Sequence, residues 1–114
     1  MELQTFQAVY LPVSYEPSAG SVELKSLQEG FDLMGLREKD VIALPLPKAT
    51  VYMSGKHQRA KKHALENRGA SLVVRTVGIK ALSIWGPALI VPKDNKYSSM
   101  PTAVQKKAAR KKRF

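Results

Sequence analysis

Short segments of apolar residues, many of them alternating with polar ones, run along residues 3–91, and their length predicts strands more often than helices. Residues 3–11 mix β-branched, aromatic and polar residues, which is typical of a first strand. Residues 41–44 form an apolar run that predicts a second strand. Pro45 and Pro47 cannot donate to a strand ladder, so this strand either ends there or lies at a sheet edge.

Four further segments have strand character. Residues 49–53 predict a short extended segment, and residues 72–77 and 79–85 predict two strands joined tightly at a glycine. Residues 88–91 predict a last apolar strand, which a proline stops.

Residues 21–29 are compatible with two structures. Ser21 in a capping position and Gly30 after the segment favour a short helix, which is the interpretation we adopt. The alternation of Val22 and Leu24 is equally typical of a strand.

Residues 56–68 predict the clearest helix. Ser54 stands in a capping position before it, and Gly69 occupies the usual position after a helix. The pair Ala60 and Ala64 gives the helix only a thin apolar face. We therefore expect it to lie close against a sheet with its basic residues directed outward.

These elements predict an α+β fold with a small, mainly antiparallel sheet, one clear basic helix and, on the adopted interpretation of residues 21–29, a second short helix. At 114 residues the chain is long enough for one domain. Residues 93–101 are polar and rich in turn formers, so we place the domain at 1–92 and a polar linker with a basic tail at 93–114.

Charge is divided unevenly along the chain. Residues 1–47 contain three basic and seven acidic residues, a net charge of −4, whereas residues 48–114 contain sixteen basic and two acidic residues, a net charge of +14. The total is the +10 of the whole chain. Such asymmetry indicates the kind of partner, and the obvious partner of a basic half is nucleic acid.

The basic residues are concentrated in the predicted helix and in the tail, where six of the last ten residues are Lys or Arg. We predict that they form one cationic surface for nucleic-acid phosphates, extended by two cations of the predicted strands. The predicted nucleic-acid-binding residues are Lys56, Arg59, Lys61, Lys62, Arg68, Arg75, Lys80, Lys106, Lys107, Arg110, Lys111, Lys112 and Arg113.

Each of these features also has a simpler interpretation. A basic tail can be a solubilising segment or a nuclear localisation signal, and a charged helix can be an ordinary solvated surface. Arg75 and Lys80 are expected on the solvated face of an antiparallel sheet. Trp85 is more typical of an anchor in the core or at a strand end than of a base-stacking platform, its alternative role.

The sequence favours a binding protein over an enzyme. It lacks cysteine, a Gly-rich phosphate loop and the short motifs of hydrolases and metalloproteases. His57 and His63 are six residues apart and do not have the spacing of a helical metal pair. We expect no catalytic residues, no metal and no cofactor.

The sequence also bears on compartment. No apolar run approaches the roughly 18 residues that cross a bilayer, and neither basic segment has the bulky apolar face of a membrane-surface helix. The absence of cysteine fits a reducing compartment. We expect a cytoplasmic protein without a membrane partner.

Parts of the chain resemble small bacteriophage-encoded α+β proteins. The resemblance covers about half the chain: residues 35–45, the basic helix up to Gly69, the segment 74–77 and Ile84-Trp85. Gly86 departs from it, because such proteins often have Arg there. The resemblance implies a phage origin, a host-cytoplasmic location and a unit in which a helix is followed by a hairpin.

The predicted function is therefore that of a small nucleic-acid-binding protein that contacts DNA or RNA backbone with little sequence specificity, as a phage DNA-binding or transcription-regulating protein would. One alternative is a phage-type module that binds an acidic protein surface and modulates a host protein. Another is a structural or ribosome-associated component.

Overall fold

The computed structural model describes residues 5–13, 20–59, 65–79, 82–94, 96–97, 100–101 and 104–105. These residues form the strands β1 (Phe6–Leu11), β2 (Gly20–Leu24), β3 (Val41–Leu46), β4 (Ala49–Ser54) and β5 (Ala88–Pro92), and the helices α1 (Leu27–Met34), α2 (Gly55–Arg59) and α3 (Arg68–Thr76). Within them, no helix is both long and apolar enough to cross a bilayer.

The strands form a single five-stranded sheet in the order β2-β1-β5-β4-β3, and every pairing is antiparallel. The last strand in the chain, β5, lies in the centre, where Ile90 pairs with Val9 on one side and Val51 on the other. This arrangement confirms the predicted α+β fold with a mainly antiparallel sheet.

The sheet is covered on both faces, so its side chains form two separate cores. On one face, Val9, Val51 and Ile90 pack with Val73 and Val74 of α3. We call this side the α3 face. On the other, Tyr10 and Leu89 belong to a cluster that includes residues of α1, and we call it the α1 face. Successive strand residues point to opposite faces, which explains why all five residues of β5 are buried.

Helix α1 packs closely against its face because of a glycine. Ser26 caps its start by accepting a hydrogen bond from the backbone N–H of Glu29, and Gly35 ends it in the left-handed conformation at φ 72°. Gly30 faces the sheet, where a Cβ atom would overlap Leu89 Cδ2. The close approach also brings Phe31 edge-on to Tyr52, with ring centroids 5.4 Å apart.

The strand predictions for β1, β3, β4 and β5 are confirmed. β3 continues through Pro45 to Leu46, and it lies at a sheet edge, which is one of the two positions that its prolines allow. The β3–β4 turn is formed by Pro47 and Lys48, and Lys48 adopts φ 65° there.

The helix adopted for residues 21–29 is wrong in position. Residues 20–24 form β2, as the alternation of Val22 and Leu24 allows. The helix begins after the cap Ser26, and Gly30 lies inside it instead of ending it. Pairing of β2 with β1, whose residues 8–11 are buried, therefore decides the conformation of this segment.

The helix predicted over 56–68 is also wrong as a single element. Ser54 caps α2 as predicted, by accepting a hydrogen bond from the backbone N–H of His57 (3.2 Å). Residues 65–67 are not helical, however, and Arg68 begins α3. Gly69, expected after the helix, lies within α3.

The strand predicted over residues 72–77 is a helix instead. The side chain of Asn67 caps it, and Ala70, Val73 and Val74 are buried on its inner face. Together with the half-buried Val77 they follow the helical spacing i, i+3, i+4, i+7. Burial of this stripe outweighs the preference of valine for strands.

The second predicted strand, over residues 79–85, is absent from the described part of that segment, which makes only an isolated bridge between Glu66 and Trp85. The hairpin that the phage-protein resemblance implies after the helix is therefore not formed. Between α3 and β5 the described residues, 77–79 and 82–87, form no strand.

The α3-face core extends past Pro92. Met100 and Val104 are 3 % and 0 % exposed and belong to that core, with Tyr97 packed against it. The domain boundary predicted after residue 92 stays a prediction. The segment predicted to be a polar linker nevertheless contributes apolar side chains to the core. The basic residues from Lys106 onward lie outside the described residues.

Packing of Tyr97 predicts a loss of stability in alkali. Burial raises the pKa of Tyr97 above its usual 10.0, so the unfolded state releases this proton first. The contribution is complete below pH 10 and decreases as the pH rises toward the folded pKa. Thermal melts at pH 9 and about pH 11 should show a smaller alkaline decrease in Tm for Tyr97→Phe than for wild type. Equal decreases would contradict the raised pKa of Tyr97.

The close approach of α1 predicts that Gly30→Ala is destabilising. Overpacking against Leu89 costs about 1–3 kcal/mol, which outweighs a gain of at most about 1 kcal/mol in helix propensity. Urea denaturation should therefore show a lower free energy of unfolding. In a Leu89→Ala background the nearest obstructing atom is gone and Leu24 Cδ1 remains at 3.0 Å, so Gly30→Ala should destabilise the protein much less. An equal decrease in the free energy of unfolding in both backgrounds would show that the overlap with Leu89 is not the cause.

Candidate nucleic-acid interface

Four of the predicted phosphate-binding residues lie on the helices of the α3 face. Lys56 and Arg59 belong to α2, and Arg68 and Arg75 belong to α3. All four side chains are exposed. The other predicted residues lie outside the described residues, namely Lys61, Lys62, Lys80, Lys106, Lys107, Arg110, Lys111, Lys112 and Arg113.

Helix α2 is held in place by a side chain that binds two backbone groups. Gln58 donates from Nε2 to the carbonyl oxygen of Ser83 (3.0 Å) and accepts, at Oε1, the backbone N–H of Trp85. These bonds fix the irregular segment 82–86 against α2. They satisfy backbone groups that no neighbouring strand pairs.

Asn67 anchors the start of α3. Its side chain is 2 % exposed and donates from Nδ2 to the carbonyl oxygens of Leu11 (2.6 Å) and Gly86 (3.0 Å). Its Oδ1 accepts the N–H of Ala70 (3.1 Å), which caps the helix. One amide thus joins α3, the end of β1 and the segment that leads into β5.

Ser71 adds a second buried contact to the same segment. Its hydroxyl accepts the N–H of Ile84 (2.8 Å), while the carbonyl oxygen of Ile84 accepts the N–H of Asn67 (2.7 Å). Helices α2 and α3 are therefore both fixed to residues 82–86 by hydrogen bonds. This shared support sets the relative position of their cations.

Arg75 differs from the other three exposed cations. It was expected on a sheet face, but it lies in the last turn of α3. Its guanidinium is 3.6 Å from the carboxylate of Glu66 and donates to the hydroxyl of Ser83 (3.2 Å). Part of its charge is therefore already balanced, which leaves Lys56, Arg59 and Arg68 as the better candidates for the predicted phosphate contacts.

The surroundings of Trp85 favour the anchoring role. The residue is half-buried, its backbone bridges to Glu66, and its indole Nε1 is buried. Gly86 follows at φ 81°, and a side chain there would overlap His57. The chain is therefore tightly packed next to Trp85. Base stacking on the Trp85 ring stays a prediction.

The sheet separates charges of opposite sign. Helix α1 carries Glu29 and Asp32 and no basic residue, a charge of −2. Helices α2 and α3 carry four cations and no acidic residue, a charge of +4. Because α1 and α3 cover opposite faces, the cationic surface and the acidic surface point away from each other.

No protein-family model, no curated protein and no solved structure matches this chain. Function must therefore be inferred from the site itself. Among the described residues, no group of three or more His, Asp or Glu side chains is arranged to hold a metal ion.

The sequence interpretation missed two kinds of residue at this surface. Asn67 and Gln58 position the helices, and for Asn67 the apolar spacing that follows it was the available signal. Leu65 and Leu72 are 71 % and 51 % exposed, and Leu72 lies on α3 between Arg68 and Arg75. The sequence pattern places Leu65 inside the predicted helix 56–68 and Leu72 at the start of a predicted strand.

The buried amide predicts a large effect for Asn67→Ala. The substitution removes a helix cap that contributes about 1 kcal/mol. It also takes a hydrogen-bond donor from two carbonyl groups, and a buried carbonyl without a donor costs about 1–3 kcal/mol. We expect the free energy of unfolding to fall by about 3 kcal/mol in chemical denaturation.

Ser26→Ala is the matched control, because it removes a cap at the exposed start of α1. It should cost about 1 kcal/mol or less. Similar losses for the two variants would show that the contacts of Asn67 to Leu11 and Gly86 contribute little.

Proposed function

We propose that this protein binds nucleic acid through the cations of α2 and α3 together with the basic tail. The observation that carries the proposal is the separation of charge by the sheet, with +4 on α2 and α3 and −2 on α1. A polyanion approaching the α3 face would meet phosphate ligands and avoid the carboxylates of α1.

The chemistry of this surface favours contact with the backbone over base readout. Its exposed ligands are Lys56, Arg59 and Arg68, and each can neutralise a phosphate and release a counterion. The two helices lie against the sheet with short exposed faces. We infer low sequence specificity and leave DNA and RNA to the experiment.

We include the basic tail in the same proposed surface, and the position of the residues just before it supports this. Val104 is buried in the α3-face core, and Gln105 donates from Nε2 to the carbonyl oxygen of Met100 (2.9 Å). The chain therefore reaches Val104, next to the last described residue, on the side of the sheet that carries α3. Six basic residues occur between Lys106 and Arg113.

In this proposal the protein is a binder and not an enzyme, and it needs no cofactor. A phage protein acting in the host cytoplasm, as a DNA-binding or regulatory factor, is the setting that we propose for it. The cysteine-free sequence agrees with a reducing compartment.

The test compares salt dependence in two triple variants of equal charge. Fluorescence anisotropy with single-stranded DNA, duplex DNA and RNA should show binding to wild type that weakens steeply with salt. Lys56→Gln/Arg59→Gln/Arg68→Gln should reduce the duplex salt slope by up to about 2.7, at about 0.9 per lost contact. Lys25→Gln/Arg37→Gln/Lys39→Gln, three exposed cations outside α2 and α3, should leave the slope close to that of wild type.

A truncation after Gln105 isolates the tail. Ending the chain there keeps Val104 in the core, whereas ending it at Met100 would remove a buried side chain. The truncated protein should lose several units of slope. Equal losses in the two triple variants would contradict the proposed surface, and the absence of binding at low salt would overturn the function itself.

A second candidate function rests on the exposed leucines. Leu72 follows Arg68 by one helical turn, and Leu65 precedes it closely, so apolar and cationic groups share one surface. Phosphates do not need leucines, whereas an acidic protein surface with apolar side chains would use both. A stoichiometric protein partner that survives nuclease treatment and is lost in Leu65→Ser/Leu72→Ser would favour this candidate.

A further inference from the structure

The two edges of the sheet are protected to different degrees. β2, at one edge, carries Glu23 and is followed directly by Lys25. β3, at the other, contains no charged residue, and its Ile42 is 43 % exposed. Charged residues and prolines keep an edge from pairing with another chain; β3 lacks the charges, and its one proline, Pro45, lies near its end.

The outward hydrogen-bonding groups of β3 can be assigned from its turn. A two-residue turn makes Leu46 and Ala49 a hydrogen-bonded pair, so the groups of Val41, Ala43 and Pro45 point away from β4. Pro45 has no N–H to lose in that position. Among the described residues, no strand pairs with this edge.

We propose that β3 pairs with β3 of a second copy of this chain, antiparallel and centred on Ile42. In this register Val41 of one copy exchanges both hydrogen bonds with Ala43 of the other, and the reverse. No N–H is required from Pro45. The register therefore uses the free donors of the edge and places its proline beyond the paired residues.

The composition of the edge selects a second copy in antiparallel orientation. Val41, Ile42 and Ala43 are apolar, and a copy of the same edge is apolar at the same positions. Antiparallel pairing centred on Ile42 places Asp40 of each copy opposite Leu44 of the other, which keeps the two aspartates at opposite ends of the paired residues. A parallel pair would bring like charges together.

Symmetry then fixes how the two copies face. Antiparallel strands side by side are related by a two-fold axis perpendicular to the sheet. The α3 faces of both copies therefore lie on the same side of a continuous sheet. Each copy has five strands, so the dimer would present two sets of α2 and α3 cations together.

The same geometry predicts the salt dependence of pairing. Gly55, the first residue of α2, lies beside Ile42, since a Cβ atom there would be 3.1 Å from Ile42 Cγ2. The cations of the two α2 helices therefore approach each other near the axis. Added salt screens their repulsion, so dimerisation should strengthen with salt, opposite to the trend for nucleic-acid binding.

A disulfide tests the register directly, because the natural chain has no cysteine. Residues at a non-hydrogen-bonded antiparallel pair have Cα atoms about 4.5 Å apart, within the about 4.4–6.8 Å that a disulfide spans. Under mild oxidation Ile42→Cys should form a covalent dimer, and faster at high salt. Leu72→Cys, at a residue of similar exposure on α3, is the control and should cross-link about tenfold more slowly or less, since pairing raises the effective thiol concentration only at Ile42.

A second variant tests the backbone bonds. Ala43→Pro removes the outward N–H and should abolish the dimer in sedimentation velocity, while Ala43→Ser keeps that N–H and should retain it. Circular dichroism would check the fold of both variants. Equal cross-linking rates at positions 42 and 72 would overturn the inference, even if Ala43→Pro fails to fold. It does not rest on the proposed function, because neither readout contains nucleic acid.

Discussion

The burial of β5 on both faces is the constraint on which the rest of the structure depends. Its five residues are buried because strands flank it and helical layers cover it above and below. A sheet with an apolar centre on both faces must recruit two separate covers. The chain supplies α1 from its acidic half and α3 from its basic half, so the two covers differ in charge.

Covering the α3 face requires a buried polar junction, which the α1 face does not need. Helix α1 is a simple amphipathic segment between a serine cap and a glycine. Helix α3 instead meets an irregular segment whose backbone groups have no strand partner, and Asn67 and Ser71 satisfy them from inside the core. A buried amide is costly without partners and strongly stabilising with all of them, so it fixes one arrangement of α2, α3 and residues 82–86.

The elements that the sequence predicted are those whose local pattern agrees with their final burial. Apolar runs bounded by prolines became β3 and β5, and Ser54 capped a helix as expected. Residues 72–77 were predicted wrongly because their valines favour strands locally, while the helical stripe from Ala70 to Val77 acts only once a sheet is present to cover. The basic character of the second half could be predicted directly from its count of Lys and Arg residues. Its placement opposite α1 was not, because that depends on which face each helix covers.

The cationic surface is not explained by the needs of folding. Among the described residues one ion pair, between Arg75 and Glu66, offsets the charge of α2 and α3, and its groups are 46 % and 31 % exposed, where such pairs contribute little. Placing the remaining cations on one side adds self-repulsion to the folded state, and mixing both signs on each face would reduce it. A fold that depends on buried apolar contacts does not require this arrangement. A partner with negative charge would relieve the repulsion on binding, which is why we relate the separation of charge to function.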